Sequence, residues 1–262
     1  MIKIGVTAIG YNCNEHLAAV LKPWMELKEA CLFGNLIKSV HIAFTHGCFT
    51  ETAQLGYPII STDGTIEYLK ALHELGDSGI DFLDIKETPQ LEYEMWTNNL
   101  PYLFSKDIDL LVMLNADELW EINEIIKAVT YIKETEFIDY FKVNFKNYCI
   151  DYNHYVSDFI VPRIWWAKKN GGIKRFYRDD LLEYNNGKRD VEVSHKVISP
   201  NIIFPKHYSW VGSKEYLQRK LGFQKLRYGN CSYAWDEVND RLMLNEEFYK
   251  TTGLPKPEIL SV

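Results

Sequence analysis

Long apolar runs are missing from this 262-residue chain. No window approaches the roughly 18 apolar residues that a membrane-spanning helix needs. A surplus of positive charge is missing too. The formal net charge of −7 argues against a broad nucleic-acid-binding surface and leaves room only for a local basic patch. Cysteine is sparse. The five residues, Cys13, Cys31, Cys48, Cys149 and Cys231, are odd in number, scattered and without a CxxC pair. That pattern suggests neither a zinc knuckle nor a disulfide framework. The N-terminal "MIKIGVTAIGY" lacks a basic region followed by an apolar run and a small-residue cleavage site. It reads as a first strand and not as a signal peptide, and the expected location is the cytosol. The chain carries no internal repeat and no low-complexity linker.

What is present is ordinary globular material, with 47% apolar and 25% charged residues. The length suits one large α/β domain or two small ones. "IKIGVTAI", "SVHIAFTHG", "GIDFLDI" and "DIDLLVML" are β-rich runs, each separated from the next by a segment with helical spacing. In "YNCNEHLAAVLKPWMELKEA" the residues Leu17, Val20, Leu21, Trp24 and Leu27 share a face, with Asn12 or Asn14 as a cap. "STDGTIEYLKALHELG" opens on the cap residues Ser61, Thr62 and Asp63 and ends at Gly76. "TPQLEYEMWTNNLPYLFS" is mostly helical, with Pro101 expected to kink or restart it. Alternation of this kind implies a mostly parallel sheet with helices on both faces, and ligands beyond the carboxyl ends of the strands. The second half is different. After the helix "EINEIIKAVTYIKE", the segments "FIDYFKVNFKNYCI", "DFIVPRIWW", "DVEVSHKVI" and "NIIFPKHYSWV" are β-rich and aromatic, which suggests a mixed or antiparallel extension of the same sheet. "SKEYLQRKLGFQKLRYG" is a helix capped by Ser213, and a short helical piece is expected near "DEVNDRLMLNEEFY". The basic, aromatic segment 165–178 reads either as a solvated hairpin or as a surface that faces phosphate or the acceptor.

The most informative stretch is "DLLVMLNADELW", residues 109–120. A buried strand runs straight into an amide and two carboxylates, at the place where such a strand enters the ligand crevice. Carboxylates there can hold Mg²⁺ or Mn²⁺, which prefer hard oxygen ligands and bridge to phosphates. Asp117 is the better ligand candidate, and Asn115 shares its face if strand geometry persists. The competing reading makes Asp117 a cap for a helix that begins near Glu118.

The order of motifs resembles the GT-A glycosyltransferases, especially the large family 2 of inverting enzymes. "AIGYNCNEHL" resembles that family's first strand-end motif, matched at Tyr11, Asn12, Glu15 and Leu17, with Ile9 and Gly10 where Pro and Thr are usual. "STDGTIEYL" resembles its Ser-Thr-Asp-Gly-Thr stretch. "MWTNNLPYL" resembles its Ala-Arg-Asn helix, matched at Asn98 and carrying Thr97 in place of Arg. "LNADELW" resembles Leu-Asp-Ala-Asp-Glu, the DxD motif. "VPRIWW", "VSHKV" and "KHYSWV" resemble later segments of the family in the same order. The resemblance covers roughly residues 1–228.

That resemblance implies a GT-A-like, Rossmann-like catalytic domain over residues 1–212. Its nucleotide-binding half would be 1–120 and its acceptor half 121–212, with a C-terminal helical tail, 213–262, packed on the same domain. The implied activity is transfer of a hexose from a nucleotide-diphosphate sugar, a UDP-sugar in most of the family, to an acceptor hydroxyl with inversion. The implied cofactor is Mn²⁺ or Mg²⁺, held by Asp117 with His207 as a further ligand. The donor would lie against Ile9, Tyr11, Glu15, Thr45, Asn98, Asn115, Ala116 and Lys206. Tyr11 would stack on the base, and Thr45 or His46 would replace an acid that commonly reads it. The expected acceptor-side base is missing from "VSHKV", where Lys196 stands, so Asp179, Asp180 and Glu192 are the candidates, with His195 a weaker one. Arg163 pairs with the diphosphate or with an internal carboxylate. Asp63 caps its helix. The acceptor would be a saccharide or a modified nucleic-acid base. Two other functions stay open: a catalytically degenerate nucleotide-sugar-binding protein, and a nucleotidyltransferase, which usually carries a glycine-rich phosphate loop where "TAIGYNCN" has one glycine.

Overall fold

The computed structural model describes residues 1–30, 35–178 and 181–261. Asp179, Asp180 and Cys31 lie outside them. The first half delivers the expected alternation. Strand β1 (Ile2–Gly10) leads to helix α1 (Asn14–Ala30), β2 (Ile37–His46), the short α2 (Thr50–Gln54), α3 (Thr65–Glu74), β3 (Phe82–Ile85), α4 (Glu92–Ser105) and β4 (Leu110–Asn115). All three pairings among these strands are parallel: β3 on β2, β2 on β1, and β1 on β4. The chain thus moves outward from β1 on one side and then returns to place β4 on the other. That reversal opens a crevice beyond the carboxyl ends of β1 and β4. Their register sets Ile9 opposite Asn115.

The second half extends the sheet with mixed pairing. It contains β5 (Glu118–Leu119), α5 (Ile122–Glu134), β6 (Tyr140–Cys149), β7 (His154–Trp166), the hairpin β8 (Ile173–Arg178) and β9 (Leu181–Tyr184), β10 (His195–Val197) and β11 (Lys206–Trp210). β7 runs antiparallel between β4 and β6, and β11 lies parallel to β6 and antiparallel to β5. Helix α6 (Lys214–Tyr228), strands β12 (Tyr233–Asp236) and β13 (Arg241–Leu244), helix α7 (Glu246–Thr252) and β14 (Leu260–Ser261) complete the order, and β14 pairs with β7.

Strand periodicity sorts the core into two layers. In β4, Leu110, Val112 and Leu114 face α1, α3 and α5, where Leu17, Trp24, Leu69 and Val129 pack. Leu111 and Met113 face α4, against Met95, Trp96, Leu100 and Leu103. A strand buried on both faces reads as an unbroken apolar run, which is why "LLVML" was legible.

Three local expectations are refined. α4 runs unbroken through Pro101; the proline is on the exposed face, where solvent can take the carbonyl that loses its donor. "DVEVSHKVI" yields one turn of 3₁₀ helix, Asp190–Glu192, and a three-residue strand. "SYAWDEVNDRLML" is a hairpin, and its turn is held by Asp236, which accepts from Val238 N and Asn239 N. Helix begins only at α7. In the basic segment, Lys174 and Arg175 both bond Glu183 across the hairpin, so much of its charge is internally matched.

Gly10 explains one departure from the family pattern. A Cβ there would lie 2.6 Å from Cys13 Sγ and 3.0 Å from Ala116 Cβ. Gly10→Thr, which restores the family residue, is therefore expected to destabilise the protein by about 1–3 kcal/mol, read as a fall in the denaturant midpoint.

Candidate functional site

A cavity of about 900 Å³ occupies the crevice. Its floor is the ends of β1 and β4, with Ile9, Gly10, Tyr11, Asn115, Ala116 and Asp117. One wall is α6, and the far rim includes Leu254, Pro255 and Pro257. Although the chain is acidic, the lining holds four strong cations; Arg163 pairs with the buried Glu118, Lys220 with Asp117 and Arg227 with Glu92, so the excess positive charge is that of Arg219. A concave site lined in this way favours an anionic ligand.

Asp117 sits at the centre. Its backbone carbonyl accepts from Tyr208 N at 2.8 Å, which pins the turn after β4 to β11. Its Oδ2 accepts from Lys220 Nζ at 2.9 Å and from Tyr216 OH at 3.2 Å. Its Oδ1 lies 3.3 Å from His207 Nε2. Burial pushes the carboxyl up, but Lys220 and His207 override it and hold the group well below the ordinary carboxylate range. Burial and the same carboxylate push the Tyr216 phenol far up, so it remains a donor. The side chains of Asp117 and Lys220 keep 14% and 18% of their surface, enough for a ligand in the cavity to reach them.

Next to this acid lies a second, closed pair. Glu118 is fully buried, and Arg163 grips it with Nη2 at 2.7 Å and Nε at 3.1 Å. Asn115 Nδ2 donates to the same carboxylate at 2.8 Å. Arg163 thus takes the internal partner that the sequence left open.

The donor set for a divalent cation can be judged from these contacts. Glu118 is neutralised by Arg163, and the Asn115 amide is turned toward Glu118. Both oxygens of Asp117 have partners. His207 Nδ1 is buried, and no described group bonds it. A histidine that ligates through Nε2 carries its proton on Nδ1 and needs an acceptor there. Nε2 instead faces Asp117 Oδ1 at 3.3 Å. The ring is locked in place, stacked on Phe159 at 4.9 Å and edge-on to Phe145. Among the described residues no cluster of three His, Cys, Asp or Glu side chains gathers. These residues do not fit a resident Mn²⁺ or Mg²⁺, contrary to the expectation for Asp117 and His207.

The other expected donor contacts divide. Tyr11 lines the cavity, but its hydroxyl donates to Pro58 O and its ring lies under Arg219, 5.5 Å from the guanidinium carbon. Glu15 ties α1 to α6 by accepting from Ser213 N at 3.2 Å. Thr45 does not reach the cavity. It is fully buried and donates to Asn99 Oδ1 at 2.8 Å. Asn98 is not in the lining either; its neighbour Asn99 is the buried amide, donating to Thr7 Oγ1 and Ala8 O. Lys206 is an edge charge facing Glu121 at 3.4 Å. Glu192 is exposed and closes its own turn by accepting from Arg189 N, so it is no acceptor-side base. His195 stacks on Tyr140 at 5.1 Å on the surface. Asp63 caps, accepting from Thr65 N and Asn14 N.

α6 supplies what sequence reading missed. Tyr216, Arg219, Lys220, Phe223 and Arg227 recur at helical spacing as one aromatic and basic stripe. Arg219 is anchored by donating to Asn12 O at 2.8 Å. Arg227 pairs with Glu92.

His46 ends β2, fully buried, with Nε2 2.7 Å from Ser61 Oγ. Burial pushes its imidazole down to about 4 from the usual 6.5. The folded value is depressed, so the neutral ring contributes stability above about pH 6.5 that is lost as pH falls toward 4. The loss amounts to up to roughly 3 kcal/mol. Urea midpoints between pH 7 and 4 should fall steeply for the native chain and less so for His46→Gln.

The fold is that of the GT-A glycosyltransferases. No protein-family model matches the sequence, and no curated protein matches it either. Among solved structures, the 1–349 portion of S. aureus TarS, a GT-A-fold, family-2-like glycosyltransferase, superposes with a TM-score of 0.50 at 11% identity, covering 87% of this chain and 72% of that one. The TarS 1–349 complex with UDP-GlcNAc gives 0.37 at 12% identity over 56% of this chain. This chain spans about a third of that structure and of the UDP complex, 35% and 36%. No described helix is long and apolar enough to cross a membrane.

Proposed function

We propose that the protein is a glycosyltransferase that takes a hexose from a UDP-sugar and passes it to a saccharide hydroxyl. The observation that carries this reading is the acid Asp117 at the switch point of the sheet, inside a basic cavity large enough for a nucleotide sugar. The acceptor oxygen attacks the anomeric carbon, the bond to the diphosphate breaks, and UDP leaves, so a single displacement inverts the centre. The proton passes to a base on the acceptor side; of the acids expected there, Asp179 and Asp180 remain candidates. Cationic side chains in the lining offset the charge that grows on the leaving diphosphate. The divalent metal expected from the resemblance is not carried into this reading, because the donor set around Asp117 does not fit it.

Thermal melting with a panel of nucleotides and nucleotide sugars tests the proposal. UDP or a UDP-sugar should raise the midpoint and release UDP slowly in water. Silence toward every nucleotide would overturn it. One observation favours a second reading: Asn115 replaces an acid, and its amide is spent on Glu118. Tight nucleotide binding without turnover across many acceptors would select the degenerate binding protein instead.

A further inference from the structure

We propose that Lys220 is this protein's diphosphate cation: its ammonium, held by Asp117 and Tyr216, occupies the role a divalent metal has elsewhere in the fold. The inference rests on the nucleotide-sugar reading above and concerns the same cavity.

Four observations carry it. The first is that Asp117 directs its Oδ2 at a side-chain cation, with Lys220 Nζ at 2.9 Å. An ammonium has three N–H donors. One is used on Asp117, and the Tyr216 oxygen, 3.4 Å away, is a weak partner for a second. Donors therefore remain for phosphate oxygens. Secondly, Lys220 is positioned with little freedom. Its ammonium lies 5.7 Å from the Trp210 ring centre and 5.6 Å from that of Tyr216. Thirdly, the atoms that would have to form a metal site are committed otherwise. Asn115 and Arg163 serve Glu118, and among the described residues His207 Nδ1 meets no acceptor for the proton that Nε2 ligation would place on it. Lastly, the loss of the first acid at Asn115 makes sense in this arrangement. A +1 ammonium needs one carboxylate to hold it, whereas a +2 ion is better served by two.

A fixed ammonium differs from a metal in three measurable ways: it cannot be chelated, it does not exchange, and it cannot be supplied from solution. Inorganic pyrophosphate and UDP are the probes, titrated calorimetrically into the full chain in EDTA and again with Mn²⁺. The native protein should bind both ligands with constants that agree within about twofold in the two buffers. Lys220→Met should weaken pyrophosphate at least tenfold, and Mn²⁺ should not restore it. Because Lys220→Met leaves Asp117 buried without its lysine partner, Asp117→Asn/Lys220→Met provides a neutral pair that tests the same loss in a folded protein. Binding by the native chain that tightens more than tenfold with Mn²⁺ would overturn the assignment and leave the nucleotide-sugar reading standing. Equal pyrophosphate affinity for the native chain and both variants would do the same. Failure of UDP to bind in either buffer would overturn the nucleotide-sugar reading itself, and the assignment with it.

Discussion

Asp117→Ala is expected to lower kcat/KM for donor cleavage about 100-fold, with a smaller change in UDP affinity. The side chain is the common anchor of Lys220, Tyr216 and His207. Its removal frees three groups at once. Taking away one partner of a well-desolvated ion pair typically costs about 3–5 kcal/mol. Asp117 and Lys220 keep some solvent access, so roughly 2–3 kcal/mol of transition-state positioning is the fitting scale, which corresponds to about 100-fold. The affinity change is smaller because two effects oppose. The alanine misorients Lys220, but it also removes a negative charge that repels the diphosphate. A metal-ligand role would give a different result: nucleotide binding would become insensitive to Mn²⁺ only in the variant. Steady-state UDP release and calorimetry, with circular dichroism as a check on folding, separate the two.

Glu118→Gln should be the most destabilising conservative change in the molecule. Glu118 is 0% exposed and Arg163 3% exposed, and the carboxylate accepts three of its bonds from that one guanidinium. The amide would remove the charged acceptor from a buried guanidinium, costing about 3–5 kcal/mol. For a chain of this size that is a fall in melting temperature of roughly 6–20 °C. Glu118→Gln/Arg163→Met should recover part of the loss, because the second substitution removes the charge that Glu118 balanced. If the single variant melts within about 2 °C of the native protein, the pair contributes little to stability.

The strand–helix half was legible in the sequence because its signals are local. Apolar runs such as "LLVML" and helical faces such as Leu17–Val20–Trp24 depend on nothing distant, and the strand-end position of Asp117 follows from them. The short helical piece expected near "DEVNDRLMLNEEFY" is Glu246–Thr252, and the hairpin before it was not foreseen because apolar spacing is ambiguous over a short span. The site was legible on its floor and at His207 and Arg163. The family motif placed Asn98 one residue from Asn99, the amide that is buried, and a pattern match cannot tell neighbours apart. Thr45 was expected in the crevice because β2 ends there, yet its hydroxyl turns inward to Asn99. The wall was illegible for a different reason. Tyr216, Arg219 and Lys220 look like a solvated helix face, and only docking α6 over the strand ends turns that face inward.

The acid and the ammonium that meet in the pocket stand 103 positions apart in the chain. The pocket thus joins an early and a late part of the chain, with the later helix set over the strand ends. Ser213 beside Glu15 and Arg219 against the Asn12 carbonyl are the latches. Glu15→Ala and Arg219→Met are therefore expected to loosen the wall of the cavity with less effect on the strand pairs beneath it, whose contacts they do not make.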